Sequence, residues 1–459
     1  MTRNGAARKL VLVVVDGLTA DAFEAAADSD RTPALSFLAR HGEYGRAVSV
    51  FPSLTPVCLA SIATGRLPDG HRIPHLVWYY RDEGRIVEYG SSFGALRAAG
   101  LTRSIRDAIV DMSARHLAPD VPTVFEALED AGVMAASINF NPYRGRTRHR
   151  AIVPGVPPAL GPRRFFFYNL FDSDVTGAPL AVRRRAAGTV DAYAAAVGRW
   201  LVTRDAFDFL VYYLSDYDYA SHALGPAGAE AALRGADAHV GALFDAAGGP
   251  DAFLEDYDVV LCSDHGQSAV SETSRLRRSF AGLEVVVTAS NRAGMVYRLG
   301  GCDESPRELA VRLDGDPAVG VALFFEDGWA VARRGGEEAR FAPEGDGWRV
   351  DGDAAVVDAP DGLRRAWGAL GNPNAGDLLV SAAPGFEFED LAGRHHAGGG
   401  SHGSLDAEDS LVPMLTVGTA PPPASITGVA PLVLEHFGVA TAPPAEAAAG
   451  ATGAARGRG

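Results

Sequence analysis

The side chains best suited to chemistry in this sequence are carboxylates and imidazoles that recur in separate parts of the chain. They are three aspartates and three histidines: Asp16, Asp218, His222, Asp264, His265 and His402. Asp218 and His222 are four residues apart, so one turn of helix stacks them on the same face. Asp264 and His265 are adjacent, and His402 lies in GGGSHGS, whose glycines let the backbone approach a ligand. Each placement alone is typical of turns, caps or helical polar pairs, but one centre for zinc or a similar metal explains all of them.

A second feature is Thr55, in the stretch FPSLTPVCLASIATG. Threonine is a good N-cap, and proline is tolerated at the first helical position because its missing N–H would be unpaired there. The pattern predicts a helix over 55–63 with Thr55 as its N-cap and Pro56 next to it. Such a helix start would aim free backbone N–H groups at an anion bound beside Thr55.

The three aspartates follow short apolar runs. LVLVVVD ends at Asp16, DFLVYYLSDYD at Asp218 and YDVVLCSD at Asp264. Continuous apolarity is typical of strands buried on both faces of a parallel sheet. Helical patterns occur at 55–63, 123–131, 187–203 and 227–247. The sequence therefore predicts an α/β fold with a doubly wound, mostly parallel sheet between helix layers, and the three aspartates are expected to meet in the crevice at the carboxyl ends of its strands.

Two stretches interrupt this alternation. Residues 76–122 resemble loops and short helices over the sheet edge, whereas residues 270–397 mix strand-like pieces, a helical pattern and the hairpin-like RFAPEGDGWRV. The chain then returns to the core with LVPMLTVG, a predicted strand, and ITGVAPLVLEHFG, a predicted closing helix. The predicted organisation is a flexible N-terminus at 1–8, a catalytic core at 9–269 and 398–439, an inserted α+β cap at 270–397 and a disordered tail at 440–459.

Composition limits the class of protein. The chain has 459 residues, 47% of them apolar and 22% charged, which suits a large globular domain with insertions. Its net charge of −15 argues against nucleic-acid polymers or anionic membranes as partners, although bound metal ions can reverse the sign locally. Cys58, Cys262 and Cys302 form no CxxC pair and suit a reducing compartment. No segment has the length of a membrane helix and the N-terminal apolar run is short for a signal peptide, so a cytoplasmic location is expected, with the oligomeric state left open.

The chain resembles the alkaline phosphatase superfamily, and within it the type I phosphodiesterase/nucleotide pyrophosphatase branch. The motifs that carry the resemblance are, in chain order, VVVDGL, FPSLTPVCLASIATG followed by PDGHRI, YLSDYDYASHALGP, CSDHG and SHGS. They extend from residue 10 to about residue 405 and leave the cap unmatched. Five ordered motifs are specific, whereas any one of them alone would be weak.

The resemblance implies two divalent metal ions. Zinc is the expected metal, and manganese or another divalent ion is the alternative. The ligands it implies for one ion are Asp218, His222 and His402. Those it implies for the other are Asp16, Asp264, His265 and the oxygen of Thr55. Thr55 would be the nucleophile, because a metal lowers the pKa of a hydroxyl that is otherwise a poor nucleophile. The implied reaction is a two-step in-line displacement at phosphorus through a phosphothreonine intermediate.

The activity implied is hydrolysis of phosphate esters, with a small phosphodiester or nucleotide pyrophosphate as the expected substrate. Phosphomonoesterase, phosphonate hydrolase and phosphomutase activities on the same site are alternatives, as is a non-catalytic member that only binds metal. At Cys58 the chain departs from the branch, and because a thiol is a weak donor, a phosphate contact there is expected to be altered or supplied from elsewhere. The candidate substrate contacts around the nucleophile helix are Cys58, His71, Arg72, His75 and Tyr79.

Overall fold

The computed structural model describes residues 7–173, 175–180 and 189–440, so most of the two predicted flexible ends lies outside the described residues. Its strands are β1 Lys9–Val15, β2 Glu43–Val48, β3 Val77–Tyr80, β4 Arg85–Glu88, β5 Ala135–Ile138, β6 Thr147–His149, β7 Ala159–Gly161, β8 Arg164–Phe167, β9 Phe171–Asp172, β10 Phe209–Leu214, β11 Tyr257–Cys262, β12 Ser268–Ala269, β13 Glu272–Ser274, β14 Val285–Ser290, β15 Ala293–Arg298, β16 Val319–Glu326, β17 Trp329–Arg334, β18 Glu337–Glu344, β19 Gly347–Gly352, β20 Leu378–Ala382, β21 Phe386–Phe388, β22 Gly400–Ser401 and β23 Leu411–Val417. Its α-helices are α1 Ala20–Ala27, α2 Pro33–His41, α3 Thr55–Thr64, α4 Pro68–His71, α5 Phe93–Ala99, α6 Leu101–Arg106, α7 Val124–Asp130, α8 Val190–Val202, α9 Asp216–Leu224, α10 Glu230–Ala247, α11 Pro250–Asp256, α12 Pro306–Val311, α13 Gly362–Leu370, α14 Ala407–Ser410 and α15 Val429–His436.

An eight-stranded sheet lies at the centre of the described chain, in the order β2-β23-β11-β1-β10-β5-β8-β9. The strands from β11 to β8 pair in parallel, and antiparallel pairs are added at both edges. In this register Val13 of β1 lies between Tyr212 of β10 and Leu261 of β11. The predicted α/β fold with a mostly parallel sheet is confirmed.

The apolar run of β1 is continuous because helices cover both faces of the sheet. Val11, Val13 and Val15 pack into the core formed with α1, α2, α8 and α10. The alternate residues Leu10 and Val14 pack into the core formed with α3, α7 and α15. A strand buried on both sides has no solvent-facing position for a polar side chain, so its first carboxylate appears only where the strand ends.

The aspartates do not all stand at strand ends as predicted. Asp16 follows β1 directly and Asp264 follows β11 by two residues, but β10 ends at Leu214, and Asp218 lies in the first turn of α9. The sequence DYDYASH begins a helix there, where acidic side chains in the first turn are favoured by the helix dipole. The strand predicted to run to Asp218 is therefore too long.

The start of α3 also differs from the prediction. Its N-cap is Leu54, so Thr55 is the first residue of the helix and the predicted N-cap role of Thr55 is wrong. The N–H groups of Val57 and Cys58 donate to the Leu54 carbonyl at 2.9 and 3.0 Å, and Pro56 has no N–H. Of the first four residues of α3, only Thr55 can therefore offer a backbone donor to an anion, and its hydroxyl makes no capping hydrogen bond.

A second sheet lies within the predicted cap, in the order β14-β15-β20-β16-β17-β18-β19, and all its pairs are antiparallel. Strands β18 and β19 form a hairpin at RFAPEGDGWRV, with Phe341 opposite Val350. The exact limits of the cap stay a prediction. The stretch 76–122 contains the hairpin β3–β4, which the sequence analysis missed, before α5, α6 and a π-helix over Asp107–His116. None of the described helices combines the length and apolarity needed to cross a membrane.

Candidate active site

Three strands of the central sheet converge on the candidate site. The turn after β1 is tight because Gly17 adopts a φ of +70°, a left-handed conformation that glycine accepts without strain. A Cβ at Gly17 would lie 2.8 Å from Asp218 Oδ1, so the lack of a side chain also lets α9 approach Asp16. The Gly17 N–H donates to Asp264 Oδ1 at 3.3 Å, which ties the ends of β1 and β11 together.

Backbone carbonyls orient the three candidate histidine ligands. Nδ1 of His222, His265 and His402 lies 2.8, 3.0 and 2.8 Å, respectively, from a backbone carbonyl oxygen. Because a carbonyl oxygen only accepts, each Nδ1 is the donor and Nε2 is turned towards the aspartates. This is the arrangement in which a neutral imidazole binds a metal ion through Nε2.

One group of candidate ligands surrounds the Thr55 hydroxyl. Ligand atoms of Asp16, Asp264 and His265 all lie within 4.8 Å of one another. His265 Nε2 is 3.3 Å from Asp16 Oδ1 and 3.4 Å from Asp264 Oδ2. The same Nε2 is 3.0 Å from Thr55 Oγ1. The structure thus brings together the four residues that the resemblance assigns to one ion.

A second group lies beside the first and shares His265 with it. Ligand atoms of Asp218, His265 and His402 fall within 4.8 Å of one another. His222 Nε2 is 3.4 Å from Asp218 Oδ2, and His402 Nε2 is 3.9 Å from Asp218 Oδ1. The two groups of candidate ligands therefore lie side by side, and His222 contacts Asp218 at the edge of the second group.

The electrostatics of these groups fit a metal centre. Burial, together with the charge of Asp218, raises the pKa of Asp16, and burial with the charge of Asp16 raises that of Asp264 well above its usual range. Burial alone would lower the pKa of His265, but Asp264 and Asp16 raise it to about 10. Asp16 Oδ1 and Asp264 Oδ2 accept no hydrogen bond from the described residues and face His265 Nε2. A proton held there relieves the repulsion between acceptors, and a divalent cation can replace that proton.

Two side chains that the sequence analysis missed hold the aspartates in place. The buried phenol of Tyr213 donates to Asp16 Oδ2, and the Gln267 amide donates to Asp218 Oδ1 at 2.7 Å. Burial, and then the charge of Asp16, raises the pKa of Tyr213 well above its usual range, so the phenol stays a donor. Phenol and amide groups are not typical metal ligands, so the sequence carried little signal for them beyond their closeness to DYD and DHG.

Thr55 lines a cavity of about 550 Å³ together with four of the candidate ligands, Asp16, Asp218, His222 and His402, whereas Asp264 and His265 lie behind its wall. Apolar side chains form much of its wall: Leu59, Leu76, Ile109, Met112, Phe167 and Leu170. Asn139, Asn141, Tyr168 and Tyr219 add polar and aromatic groups. Among the described residues that line this cavity there is no lysine or arginine.

A second cavity of about 500 Å³ adjoins the first, since both are lined by Ser91, Asn291 and His396. Its other walls include Ser92, Arg394 and Asp390, so it has charged side chains of both signs. Two of the shared residues contact candidate ligands, because Asn291 Nδ2 lies 3.0 Å from His402 Nε2 and the His396 ring lies 4.1 Å from that of His222.

The predicted substrate contacts lie outside both cavities. Cys58, His71 and His75 are fully buried, Cys58 on the core face of α3, His71 at the end of α4 and His75 in the loop after it. Cys58 Sγ lies 3.3 Å from Ser49 Oγ. Where α3 lines the cavity, it does so with Thr55, Pro56 and Leu59.

The two remaining predicted contacts have other partners. Arg72 forms an ion pair with Asp120 at 3.3 Å, and Tyr79 packs edge-on against Tyr297 in the cap at a centroid distance of 5.7 Å. Neither lines the cavity that contains Thr55. None of the five predicted substrate contacts therefore lines either of the two cavities.

Comparison with known proteins gives a family and a fold. Residues 10–405 match the model of the type I phosphodiesterase/nucleotide pyrophosphatase family. No match is found among curated proteins. Among solved structures, murine ectonucleotide pyrophosphatase/phosphodiesterase 5 matches with a TM-score of 0.62 and 14% identity, over 95% of this chain and 96% of that chain. An inactive variant of the same protein in complex with AMP matches with a TM-score of 0.62 and 13% identity, over the same shares of both chains. Phosphonoacetate hydrolase from Sinorhizobium meliloti 1021, in complex with phosphonoformate, matches with a TM-score of 0.61 and 18% identity, over 95% of this chain and 98% of that chain.

Proposed function

The chain belongs to the type I phosphodiesterase/nucleotide pyrophosphatase family of phosphoester hydrolases, and we propose that it cleaves phosphodiester or pyrophosphate bonds with Thr55 as the nucleophile and two divalent metal ions, zinc foremost, as cofactors. The observation that carries this proposal is the position of the Thr55 hydroxyl. Thr55 Oγ1 lies at the cavity wall and 3.0 Å from His265 Nε2, the atom where the two groups of candidate ligands meet.

In the proposed ligand sets, the Thr55 oxygen joins the first group, and His222 takes the place of the shared His265 in the second. Asp16, Asp264, His265 and the Thr55 oxygen hold one ion, and Asp218, His222 and His402 hold the other. The support is chemical as well as geometric, because imidazole Nε2 and carboxylate oxygens are the ligands that zinc prefers when no thiolate is present. When bound, two divalent ions supply the positive charge that activates a hydroxyl and stabilises the oxygens around the phosphorus.

In the first step, Thr55 Oγ1 forms a bond to phosphorus while the bond from phosphorus to the leaving oxygen breaks. The hydroxyl proton passes to solvent in the cavity. In the second step, the oxygen of a water molecule forms a bond to phosphorus, the bond to Thr55 Oγ1 breaks and Thr55 regains a proton. Each displacement inverts the configuration at phosphorus, so the complete reaction retains it. The threonine ester of phosphate is the intermediate between the two steps.

The cavities favour a diester over a monoester. A monoester brings an additional negative charge, and no lysine or arginine is found among the described residues that line the cavity around Thr55. A diester can carry two substituents of different polarity, and the largely apolar cavity around Thr55 adjoins a second cavity whose wall includes Arg394 and Asp390. Phosphonate hydrolysis is the second candidate, because a phosphonoacetate hydrolase shares this fold over nearly the whole chain.

Hydrolysis of bis(p-nitrophenyl) phosphate and of p-nitrophenyl phosphate by the zinc-loaded protein tests the proposal. We expect faster release from the diester and its loss in Thr55→Ala. Thr64→Ala is a matched control, because Thr64 ends the same helix, does not line the cavity around Thr55, and its hydroxyl donates to the Ala60 carbonyl at 2.7 Å and accepts the Arg66 N–H at 3.3 Å. Equal turnover by wild type and Thr55→Ala would refute the role of Thr55. If the protein released phosphate from phosphonoacetate and hydrolysed neither nitrophenyl ester, phosphonate hydrolysis would be favoured instead.

A further inference from the structure

Asn139 carries a hydrogen-bond donor with no partner in the wall of the cavity around Thr55. The residue is 1% exposed, and its Nδ2 receives no partner from the described residues. Its Oδ1 accepts the backbone N–H of Tyr168 at 2.9 Å. Because that contact needs an acceptor, it fixes the orientation of the amide, and the unpaired atom is the NH₂ group. Burying such a group without a partner is costly, so a ligand or a water that bound in the cavity would gain from completing it.

The sheet places this amide beside the candidate ligands. Asn139 follows Ile138, the last residue of β5, and Ile138 lies in register with Tyr212 of β10. Tyr213 follows Tyr212, so Asn139 and Tyr213 occupy corresponding positions one residue beyond the last paired residues of the two strands. Tyr213 in turn donates to Asp16, and all three residues line the same cavity.

The backbone conformation at Asn139 is the one that delivers the side chain to this position. Its φ is +57°, a left-handed conformation that few residues other than glycine adopt and that asparagine tolerates best. Glycine would fit the same backbone but would offer no donor. The neighbouring Asn141 differs, because both ends of its amide are already used, by Ser113 Oγ at 2.9 Å and by the Ala108 carbonyl at 2.7 Å.

We propose that Asn139 is a substrate-contacting residue whose Nδ2 group donates a hydrogen bond to a non-bridging oxygen of the phosphoryl group. The proposal rests on the proposed function, since it needs the phosphoryl group to bind beside Thr55. It also accounts for Cys58, whose buried thiol cannot reach the cavity and leaves the phosphate contact to another element. An amide donor held rigidly at the reacting group stabilises charge as it develops, and removing one such donor typically lowers kcat about 100-fold or more.

Two substitutions separate a substrate contact from a structural role. Asn139→Gly keeps the left-handed backbone and removes the whole amide. Asn139→Asp keeps the shape and the acceptor for the Tyr168 N–H, but it replaces the donor with a negative charge. If Asn139 only held Tyr168, the Asp variant would behave like wild type and the Gly variant would be impaired. A contact with phosphate predicts the opposite order, with the Asp variant more impaired than the Gly variant.

The measurements are kcat/KM for bis(p-nitrophenyl) phosphate and the Kd of inorganic phosphate, both with the zinc-loaded full chain, with zinc content and thermal stability recorded for each variant. We expect kcat/KM to fall about 100-fold in Asn139→Gly and further in Asn139→Asp, with phosphate binding weakened about tenfold or more. Asn169→Gly is the matched control, because Asn169 is exposed, has a φ of +54° and does not line the cavity. It should match wild type in both measurements.

The outcomes distinguish this inference from the proposed function. Wild-type values in both Asn139 variants overturn the role of Asn139 and leave Thr55 chemistry intact. A wild-type protein without activity on any phosphate ester overturns the proposed function. In that case the Kd of inorganic phosphate for wild type and for the two Asn139 variants still tests whether Asn139 contacts phosphate. An impaired Gly variant beside an Asp variant with wild-type phosphate affinity assigns Asn139 to the support of Tyr168 and refutes the contact.

Discussion

Removing the phenol oxygen of Tyr213 should weaken zinc binding without disturbing the core. The Tyr213 side chain is 3% exposed and packs against Phe140 at a centroid distance of 6.3 Å. In Tyr213→Phe the ring keeps these contacts, and only the hydrogen bond to Asp16 Oδ2 is lost. The change therefore acts on one oxygen of a candidate ligand whose other oxygen faces His265 Nε2.

The size of the effect follows from the charge of the acceptor. A hydrogen bond to a charged group contributes about 1.5–3 kcal/mol, and each 1.4 kcal/mol corresponds to about a factor of ten in affinity. Loss of a partner that orients a metal ligand typically costs about 10- to 100-fold in metal affinity. Both estimates give a zinc affinity about 10- to 100-fold weaker in Tyr213→Phe.

Competition with a chelator of known zinc affinity measures this difference. Tyr212→Phe is the matched control, because the neighbouring phenol donates to the His239 carbonyl at 3.1 Å on the opposite face of the sheet. That variant should lose about 1 kcal/mol of stability and keep its zinc affinity. The reasoning is refuted if Tyr213→Phe binds zinc as tightly as wild type, or if both variants weaken binding equally.

Three further predictions concern the same site and the loop beside it. Because the pKa of His265 is raised to about 10, zinc binding at pH 8 should release a proton, and the zinc affinity should rise with pH up to about 10. Calorimetry in two buffers of different ionisation enthalpy measures the proton release. Binding heats that do not depend on the buffer would contradict it. Gly17→Ala should lower the free energy of unfolding by about 1–2 kcal/mol and weaken zinc binding, since the new Cβ would meet Asp218 Oδ1 in a left-handed turn. Urea denaturation measures the first effect and competition with a chelator the second. Wild-type values in both measurements would contradict the prediction. Burial raises the pKa of Glu88 from 4.5 to about 7. The stability that this group contributes is therefore fully present below pH 4.5 and is lost as the pH rises through 7. Glu88→Gln should remove about 3 kcal/mol of this pH dependence, and curves of unfolding free energy against pH that run parallel for the two proteins would show that the idea is wrong.

Much of the site was visible in the sequence because its signals are local. In a strand buried on both faces, the first charged residue marks the end of the strand. Asp16 and Asp264 could therefore be placed near the carboxyl ends of the sheet strands from the apolar runs alone. The spacing of Asp218 and His222 predicts one face of a helix wherever that helix begins. The resemblance to the family, carried by five ordered motifs, is confirmed by the match over residues 10–405.

The errors arose where a boundary or a tertiary contact decides. Whether Thr55 is the N-cap or the first helical residue depends on a shift of one position, which sequence patterns do not resolve. No sequence pattern indicated that His71 and His75 are fully buried, with His71 Nε2 3.1 Å from Ser61 Oγ of α3 and His75 Nδ1 accepting the Val77 N–H. Asn139 was overlooked instead of misplaced. No motif marks it in the sequence, and only the pairing of β5 with β10 brings the end of its strand to the end of the strand that carries Tyr213.

The stereochemical course of the reaction tests the central claim most directly. A phosphodiester analogue made chiral at phosphorus by sulfur substitution is hydrolysed in water enriched in ¹⁸O, and the configuration of the product is determined. Attack by Thr55 followed by hydrolysis of the threonine ester involves two inversions, so the account predicts net retention. Net inversion would mean a single direct attack by water and would contradict Thr55 as the nucleophile.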